Sequence, residues 1–234
     1  MIDIKVFGSG SSGNGYLIDD GHSQILIECG VKFELVKRKM KFDLSKVAGM
    51  VISHEHGDHS KEIKKVLGTT AIDIYASEGT LNALNVPKFR ANVLNIGKSV
   101  QIGTWTVIPF DVVHDAAEPM GFVFENASKE RLLFVTDTRL LHYKFKNITH
   151  MMVEANYSMK ILIEKYSHGD LADMLKNRII RSHFEFENSK SFIKLNSSEM
   201  LQVVWLLHLS DSNSDEELFK REVQELTGVP VYIA

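Results

Sequence analysis

From Val51 to His59 the chain reads Val-Ile-Ser-His-Glu-His-Gly-Asp-His, an apolar run that breaks into three histidines and an aspartate. Imidazole and carboxylate are the usual nitrogen and oxygen ligands of zinc, manganese and iron, so His54, His56, Asp58 and His59 are candidate metal ligands. In extended backbone alternate side chains share a face, which groups His54 with His56. Asp58 and His59 then come from the following turn and can address a second point nearby. One short loop with this spacing can serve two adjacent metal ions. The bland alternative, a polar turn with accidental histidines, does not account for four potential ligands in six residues at the end of a buried strand.

The element that must carry this loop is the apolar stretch Val47–Ile52, which reads as a short, fully buried strand. Upstream, alternation predicts a strand over Ile2–Phe7, and Tyr16–Ile18 and Gln24–Ile27 complete a β-meander. Between the first two lies the glycine-serine segment Gly8–Gly15. Its Gly8, Gly10 and Gly13 have the spacing of a dinucleotide-binding loop, but that loop needs a helix directly after it, and here a strand follows. No Gly-Lys-Ser/Thr follows either, so a P-loop is excluded on the same grounds. Ser11, Ser12 and Asn14 are nonetheless candidate substrate contacts, because hydroxyls and backbone N–H groups in a glycine loop suit phosphate. A flexible hairpin loop is the plainer alternative. Phe33–Phe42 predicts a helix whose neighbourhood sets Lys32, Lys37, Arg38, Lys39 and Lys41 against Glu34; this is either a solvated face or a patch that tracks a polyanion.

Further along, Lys61–Leu67 and Gly79–Leu84 predict helices, Asp73–Ala76 a strand, and Pro87–Asn95 an irregular segment. Val100–Ile102 and Thr104–Pro109 read as a hairpin turning at Gly103, after which Phe110–Val113 leads to His114. Gly121–Glu125 and Arg131–Val135 form a second hairpin that runs into Thr136-Asp137-Thr138. His150–Glu154 is a strand, Leu171–Ile180 and Ser189–Leu195 are helices, and Val203–Leu207 is a buried strand ending at His208. Acidic Asp215–Glu217 opens a helix through Leu226, Gly228 caps it, and Val229–Ile233 is the last strand. Strands that alternate with helices predict an α/β protein, and a histidine or aspartate stands at strand ends again at 114, 137 and 208.

The chain has 234 residues, 44% hydrophobic and 24% charged, with a formal net charge of −3. That composition suits a globular protein with a sizeable core, and no repeat or linker interrupts it, so one domain over residues 1–234 is expected. The charge excludes a global positive field. A single cysteine, Cys29, excludes an internal disulfide framework; it is expected as a small buried residue in a reducing compartment. Neither a signal segment nor a membrane-length apolar run is apparent, and a soluble cytoplasmic protein is expected.

The His-x-His-x-Asp-His run after a buried strand resembles the metal motif of the metallo-β-lactamase-fold hydrolases. That resemblance implies an α/β fold of the four-layer αββα sandwich type. It also implies a ligand set: His54, His56 and His114 on one metal, Asp58, His59 and His208 on the other, and Asp137 bridging. The segments Gly8–Ile18, Ser53–His59, His114–Pro119, Thr136–Thr138, Glu154–Asn156 and His208–Ser210 are similar to those of the YycJ/WalJ-type exonucleases of this fold. The resemblance covers most of the chain and departs at Ser182-His183-Phe184-Glu185, where that branch carries His-Leu-Ser-Asn. What it implies is a phosphodiesterase acting on nucleic acid, DNA ahead of RNA, with two divalent ions (zinc, manganese or iron). A hydroxide held between ions roughly 3.5–4 Å apart would attack phosphorus in line. Asp58 belongs to that catalytic centre, His183 is a candidate to bind phosphate or protonate the leaving oxygen, and Glu154 and Asn156 are expected to orient imidazoles or substrate. Modest length and negative charge leave two alternatives open: a hydrolase of small thioesters, lactones or cyclic nucleotides, and a metal-binding module without catalysis.

Overall fold

The computed structural model of the chain describes residues 1–141, 143–167 and 173–234. Its contacts divide into two compact units, Met1–Asp111 with Ala116–Glu130, and Val112–Asp115 with Arg131–Ala234.

In the first unit β1 (Asp3–Gly8), β2 (Gly15–Asp19) and β3 (Gln24–Ile27) form the antiparallel meander that the alternation predicts. After α1 (Phe33–Lys39) the chain adds β4 (Val47–Val51) in parallel to β3. A single helical turn, α2 (Gly57–Ser60), and α3 (Ile63–Thr69) precede β5 (Ile74–Ala76), α4 (Glu78–Ala83) and β6 (Ala91–Val93), so that the strands run β1-β2-β3-β4-β5-β6 in one sheet. Against this sheet Leu17, Leu26, Met50, Ile52 and Ile74 pack with Phe33, Val36, Ile63 and Val66 of the helices. Burial of that kind contributes about 1.5–3 kcal/mol per large apolar side chain. Then β7 (Val100–Ile102), β8 (Trp105–Asp111) and β9 (Met120–Glu125) follow as an antiparallel meander. The segment 87–95, expected to be irregular, contains β6. Three residues carry no period of their own, and pairing with β5 in parallel is what makes them a strand.

In the second unit β10 (Arg131–Val135), β11 (His150–Glu154), β12 (Val203–Leu207) and β13 (Val231–Ile233) are joined edge to edge in parallel. Helices α5 (Met159–Ser167), α6 (Asp173–Ser182), α7 (Phe186–Asn196) and α8 (Glu216–Thr227) complete it. Phe186 of α7 stacks on Phe219 of α8 at 3.7 Å. Asp215 accepts the Leu218 N–H at the start of α8, and Gly228 ends it in the left-handed region, φ 71°, which only glycine enters without cost. Helix α5 is absent from the sequence reading. Its Ile161-Leu162-Ile163 run has no helical period, and of the three only Leu162 is buried. The expected helix start at Leu171 lies outside the described residues. Among the described residues no helix is long and apolar enough to cross a membrane.

Candidate metal centre

In the first unit, β4 ends at Val51 and releases Ser53 and His54 into the interior, 1% exposed each. The exit of β3 laces this loop together. Glu28 donates its N–H to the Val51 carbonyl at 3.0 Å, and its Oε1 accepts the Ser53 N–H at 3.1 Å. Cys29 N–H reaches the His59 carbonyl at 2.7 Å. Asp58 and His59 lie in the turn α2, not in an open loop, and this turn lets their side chains meet: His59 Nε2 stands 3.3 Å from Asp58 Oδ2. The His54 ring lies 4.7 Å from that of His56 and 4.2 Å from that of His59, centre to centre.

The glycine-serine loop is built into the same assembly. Asn14 is fully buried and donates its backbone N–H to the Asp58 carbonyl at 2.7 Å. Its side-chain oxygen accepts from Gly10 N–H (2.9 Å) and the Tyr16 hydroxyl (3.1 Å), and its amide nitrogen lies 3.1 Å from His59 Nε2. Close approach explains the glycines: a Cβ on Gly30 would fall 1.6 Å from the Asp58 carbonyl oxygen, and one on Gly13 would fall 2.1 Å from that of Gly30. The loop thus clamps the His54–His59 segment. Of the residues offered as substrate contacts, Ser11 and Ser12 are exposed, whereas Asn14 and Asn156 are buried against histidine rings and hold those rings in place.

Glu28 is the residue that the sequence reading missed here. It is buried in the left-handed region (φ 64°), with Oε2 3.6 Å from His59 Nδ1. A carboxylate at the end of the apolar run Gln24–Ile27 is the signal that would have found it, since buried charge persists only where something pairs with it.

In the second unit, Asp137 follows β10 and His208 follows β12, each in the left-handed region (φ 42° and 52°). Non-glycine residues held there after strands carry strain that surrounding contacts must offset. Those contacts are visible. Thr136 Oγ1 donates to Asp137 Oδ1 at 2.9 Å, and the Asn156 amide spans the His208 carbonyl (2.7 Å) and Nδ1 (3.0 Å). His114 reaches the same place from the short segment 112–115, tied down by Val113 N–H to Thr138 Oγ1 and Arg139 N–H to the Val113 carbonyl. Its Nδ1 lies 2.9 Å from the Ser182 carbonyl, an atom that only accepts, so Nδ1 carries the proton and Nε2 the lone pair.

Asp137 presents its two oxygens to two different histidines: Oδ2 is 3.7 Å from His114 Nε2, and Oδ1 is 3.6 Å from His208 Nε2. His183, just past α6, stacks on His208 at 5.2 Å and bonds Glu154 Oε1 through Nδ1 at 2.7 Å. Glu154 is fully buried; its Oε2 accepts the N–H groups of Thr138 and Phe184. One donor atom from each of Asp137, Glu154, His183 and His208 lies within 4.8 Å of the others. Nearby Tyr157 has its phenol pushed up to about 12, first by burial and then by Glu185 and Glu154, so it remains a neutral phenol.

These separations test whether the residues suit a metal. Two ligands bonded at ~2.0–2.1 Å to one tetrahedral ion stand about 3.3–3.4 Å apart. The Asp58–His59, Asp137–His114 and Asp137–His208 spacings of 3.3, 3.7 and 3.6 Å are close to that value. Nitrogen and oxygen donors in this mixture suit a borderline or hard divalent ion.

Solved structures share the fold along the whole chain, and two of them illustrate the likeness. The metallo-β-lactamase fold protein YhfI from Bacillus subtilis matches with a TM-score of 0.75 over 100% of this chain and 96% of its own, at 15% identity. Zn(2+)-bound PqqB from Methylobacterium extorquens matches with 0.75 over 100% and 97%, at 11% identity. The architecture is the metallo-β-lactamase fold that the motif implied. Residues 23–177, more than half the chain, match the beta-lactamase superfamily domain, and the chain belongs to that superfamily as a metallo-β-lactamase-fold hydrolase. At the level of sequence it is 25% identical to Exodeoxyribonuclease YycJ of Bacillus anthracis over 96% of this chain and 89% of the relative. Exodeoxyribonuclease WalJ of Streptococcus pneumoniae is also 25% identical, over 92% and 84%.

Proposed function

We propose that this protein is a dinuclear metal-dependent phosphodiesterase acting on nucleic acid, specifically a DNA exonuclease, with residues 1–234 working as one hydrolase domain in the cytoplasm. The observation that carries the reading is likeness to exodeoxyribonucleases along nearly the entire chain, joined to histidine and aspartate clusters at the strand ends. In this reading His54, His56 and His114 would hold one ion, Asp58, His59 and His208 the other, and Asp137 would serve both; zinc or manganese suits the donors, and iron is compatible. The two ions, when bound, acidify water and neutralise charge that builds on the phosphoryl oxygens.

The chain's own residues do the rest. Ser53, at 2.9 Å from His54 Nδ1, and Ser182, at 2.9 Å from His114 Nδ1, fix those rings so that Nε2 is the donor atom. Glu28 Oε2, 3.6 Å from His59 Nδ1, favours the same tautomer there, whereas the Asn156 and Asn14 amide nitrogens, at His208 Nδ1 (3.0 Å) and His59 Nε2 (3.1 Å), donate to those ring atoms and hold the rings in orientation. Glu154 holds His183 by Nδ1, which makes Nε2 the ring atom that serves a phosphate oxygen or the leaving oxygen. Exposed Ser11 and Ser12 remain available to a phosphate.

End-labelled linear duplex, closed circular duplex and single-stranded RNA, digested in parallel with manganese or zinc, test this reading. Release of mononucleotides from linear DNA alone is expected. Cleavage of the circle would mean an endonuclease, preference for RNA would change the substrate, and inertness toward all three with turnover of a lactone or thioester would replace the proposal by a small-ester hydrolase.

A further inference from the structure

Beside β1, β2 and β3 of the first unit's sheet lies a cavity of about 220 Å³ lined by Lys5, Lys39, Lys41 and Lys46, with Asp43, Gln24, Met40 and Leu17. We propose that it is a phosphate-binding pocket that grips the backbone of the nucleic acid away from the cleavage point; this rests on the nuclease reading above.

Four lysines line it beside one aspartate, in a chain whose overall charge is −3, so the concentration of lysine there does not follow from composition. The four come from separate places: Lys5 from β1, Lys39 from the end of α1, Lys41 from the turn after it, and Lys46 from the approach to β4. Two are held in position by carbonyls, Lys39 by that of Val6 at 3.3 Å and Lys46 by that of Gly21 at 3.2 Å. Asp43 accepts from the Ser45 N–H and hydroxyl, Asp19 accepts from the Gln24 amide, and Asp3 stands 3.9 Å from Lys5; each keeps its charge, but of the three only Asp43 lines the cavity.

Size chooses the ligand. The volume is below the roughly 300 Å³ at which pockets enclosing whole small molecules begin, so it suits a phosphate group with part of its sugar. Lysine is a point-charge partner for phosphate and reads no base, as backbone contacts in sequence-independent binding require.

Position chooses the source. Gln24 opens β3 and Lys46 precedes β4, whereas Glu28 and His54 follow the far ends of those strands. At ~3.3 Å per residue the four residues from Gln24 to Glu28 put that end of the pocket roughly 13 Å from the metal loop, and Lys5, in register with Leu17 and Leu26, lies nearer along the strands. Along one strand of duplex roughly 13 Å is about four phosphates at ~3.4 Å each. The pocket therefore favours substrates longer than about four nucleotides.

Two variants, Lys41→Glu/Lys46→Glu and the milder Lys41→Gln/Lys46→Gln, test this in the full-length, metal-loaded protein, with melting temperatures to verify folding. The probes are a cleavage-resistant phosphorothioate 20-base-pair duplex followed by fluorescence anisotropy between 50 and 200 mM salt, and inorganic tripolyphosphate followed by calorimetry. At 50 mM salt the glutamate variant should bind the duplex at least ten-fold more weakly. Its log–log salt slope should fall by about two, at ~0.9 per lost phosphate contact, and the glutamine variant should move the same way. Unchanged affinity and slope in both variants would overturn the pocket. Loss of tripolyphosphate binding with duplex binding intact would overturn the backbone assignment in favour of a free phosphate ligand. A wild-type protein that degrades no nucleic acid while tripolyphosphate binding still depends on Lys41 and Lys46 would overturn the nuclease reading alone.

Discussion

Asp137 carries the heaviest burden of any single side chain. Its backbone is held at φ 42°, its Oδ1 takes the Thr136 hydroxyl, and its two oxygens face His208 and His114 separately. Asp137→Ala should leave a folded protein that retains little metal and loses activity by at least a hundred-fold, consistent with removal of a group acting in the site itself. Elemental analysis beside steady-state rates checks it; wild-type metal content and rate would remove Asp137 from the centre. Cys29 makes the opposite case. Its thiol is pushed well above the ordinary value by burial first and then by Glu28 and Glu62, so it stays protonated through neutral and mildly alkaline pH. A thiol reagent at pH 8 should label it only after denaturation, and rapid labelling of the native protein would contradict its burial.

At the scale of elements, parallel strands whose C-terminal ends carry the reactive residues explain much of the arrangement. In β4, β10 and β12 a mainly apolar run fills the strand and the chain turns polar at its end, after Ile52 in the case of β4, which is why each was visible as a hydrophobic stretch meeting a histidine or aspartate. What that pattern did not display is how the Gly8–Gly15 loop docks on the His54–His59 segment through Gly30 and Asn14. Gly30→Ala puts a methyl into the Asp58 carbonyl, and relief requires backbone movement, so a loss of about 3 kcal/mol is expected, with metal content falling alongside. Gly68→Ala meets nothing within 4 Å at an ordinary backbone angle and is the control for general glycine effects. Equal melting temperatures for the two variants would show that the clamp is looser than its geometry.

For the molecule as a whole, buried Glu28, Glu154 and Asp137 stand among histidines, an arrangement that is costly without a cation and stabilised with one. Metal bound to the native state alone stabilises by mass action, about 2.7 kcal/mol at a hundred times the dissociation constant. For a chain of this size that corresponds to roughly 5–10 °C in melting temperature. Differential scanning calorimetry before and after chelation should show a drop of that order, restored by zinc or manganese; an unchanged transition would mean that the clusters hold no ion.

Local chemistry reaches as far as the elements and the candidate ligands, because both are written in short-range pattern. Periodicity marks strands such as Val203–Leu207, and the donor types of His54, His56, Asp58 and His59 declare their chemistry wherever they fold. Pattern fails where long-range pairing makes the structure. The segment 91–93 is a strand only because β5 lies beside it, and Glu28 is a partner of His59 only because β3 and β4 exit side by side. Asn14 and Asn156 look like substrate contacts on their own; burial against His59 and His208 gives them a different task. Which atoms of separate segments come within a hydrogen bond depends on packing summed over many residues, and no window of sequence contains that sum.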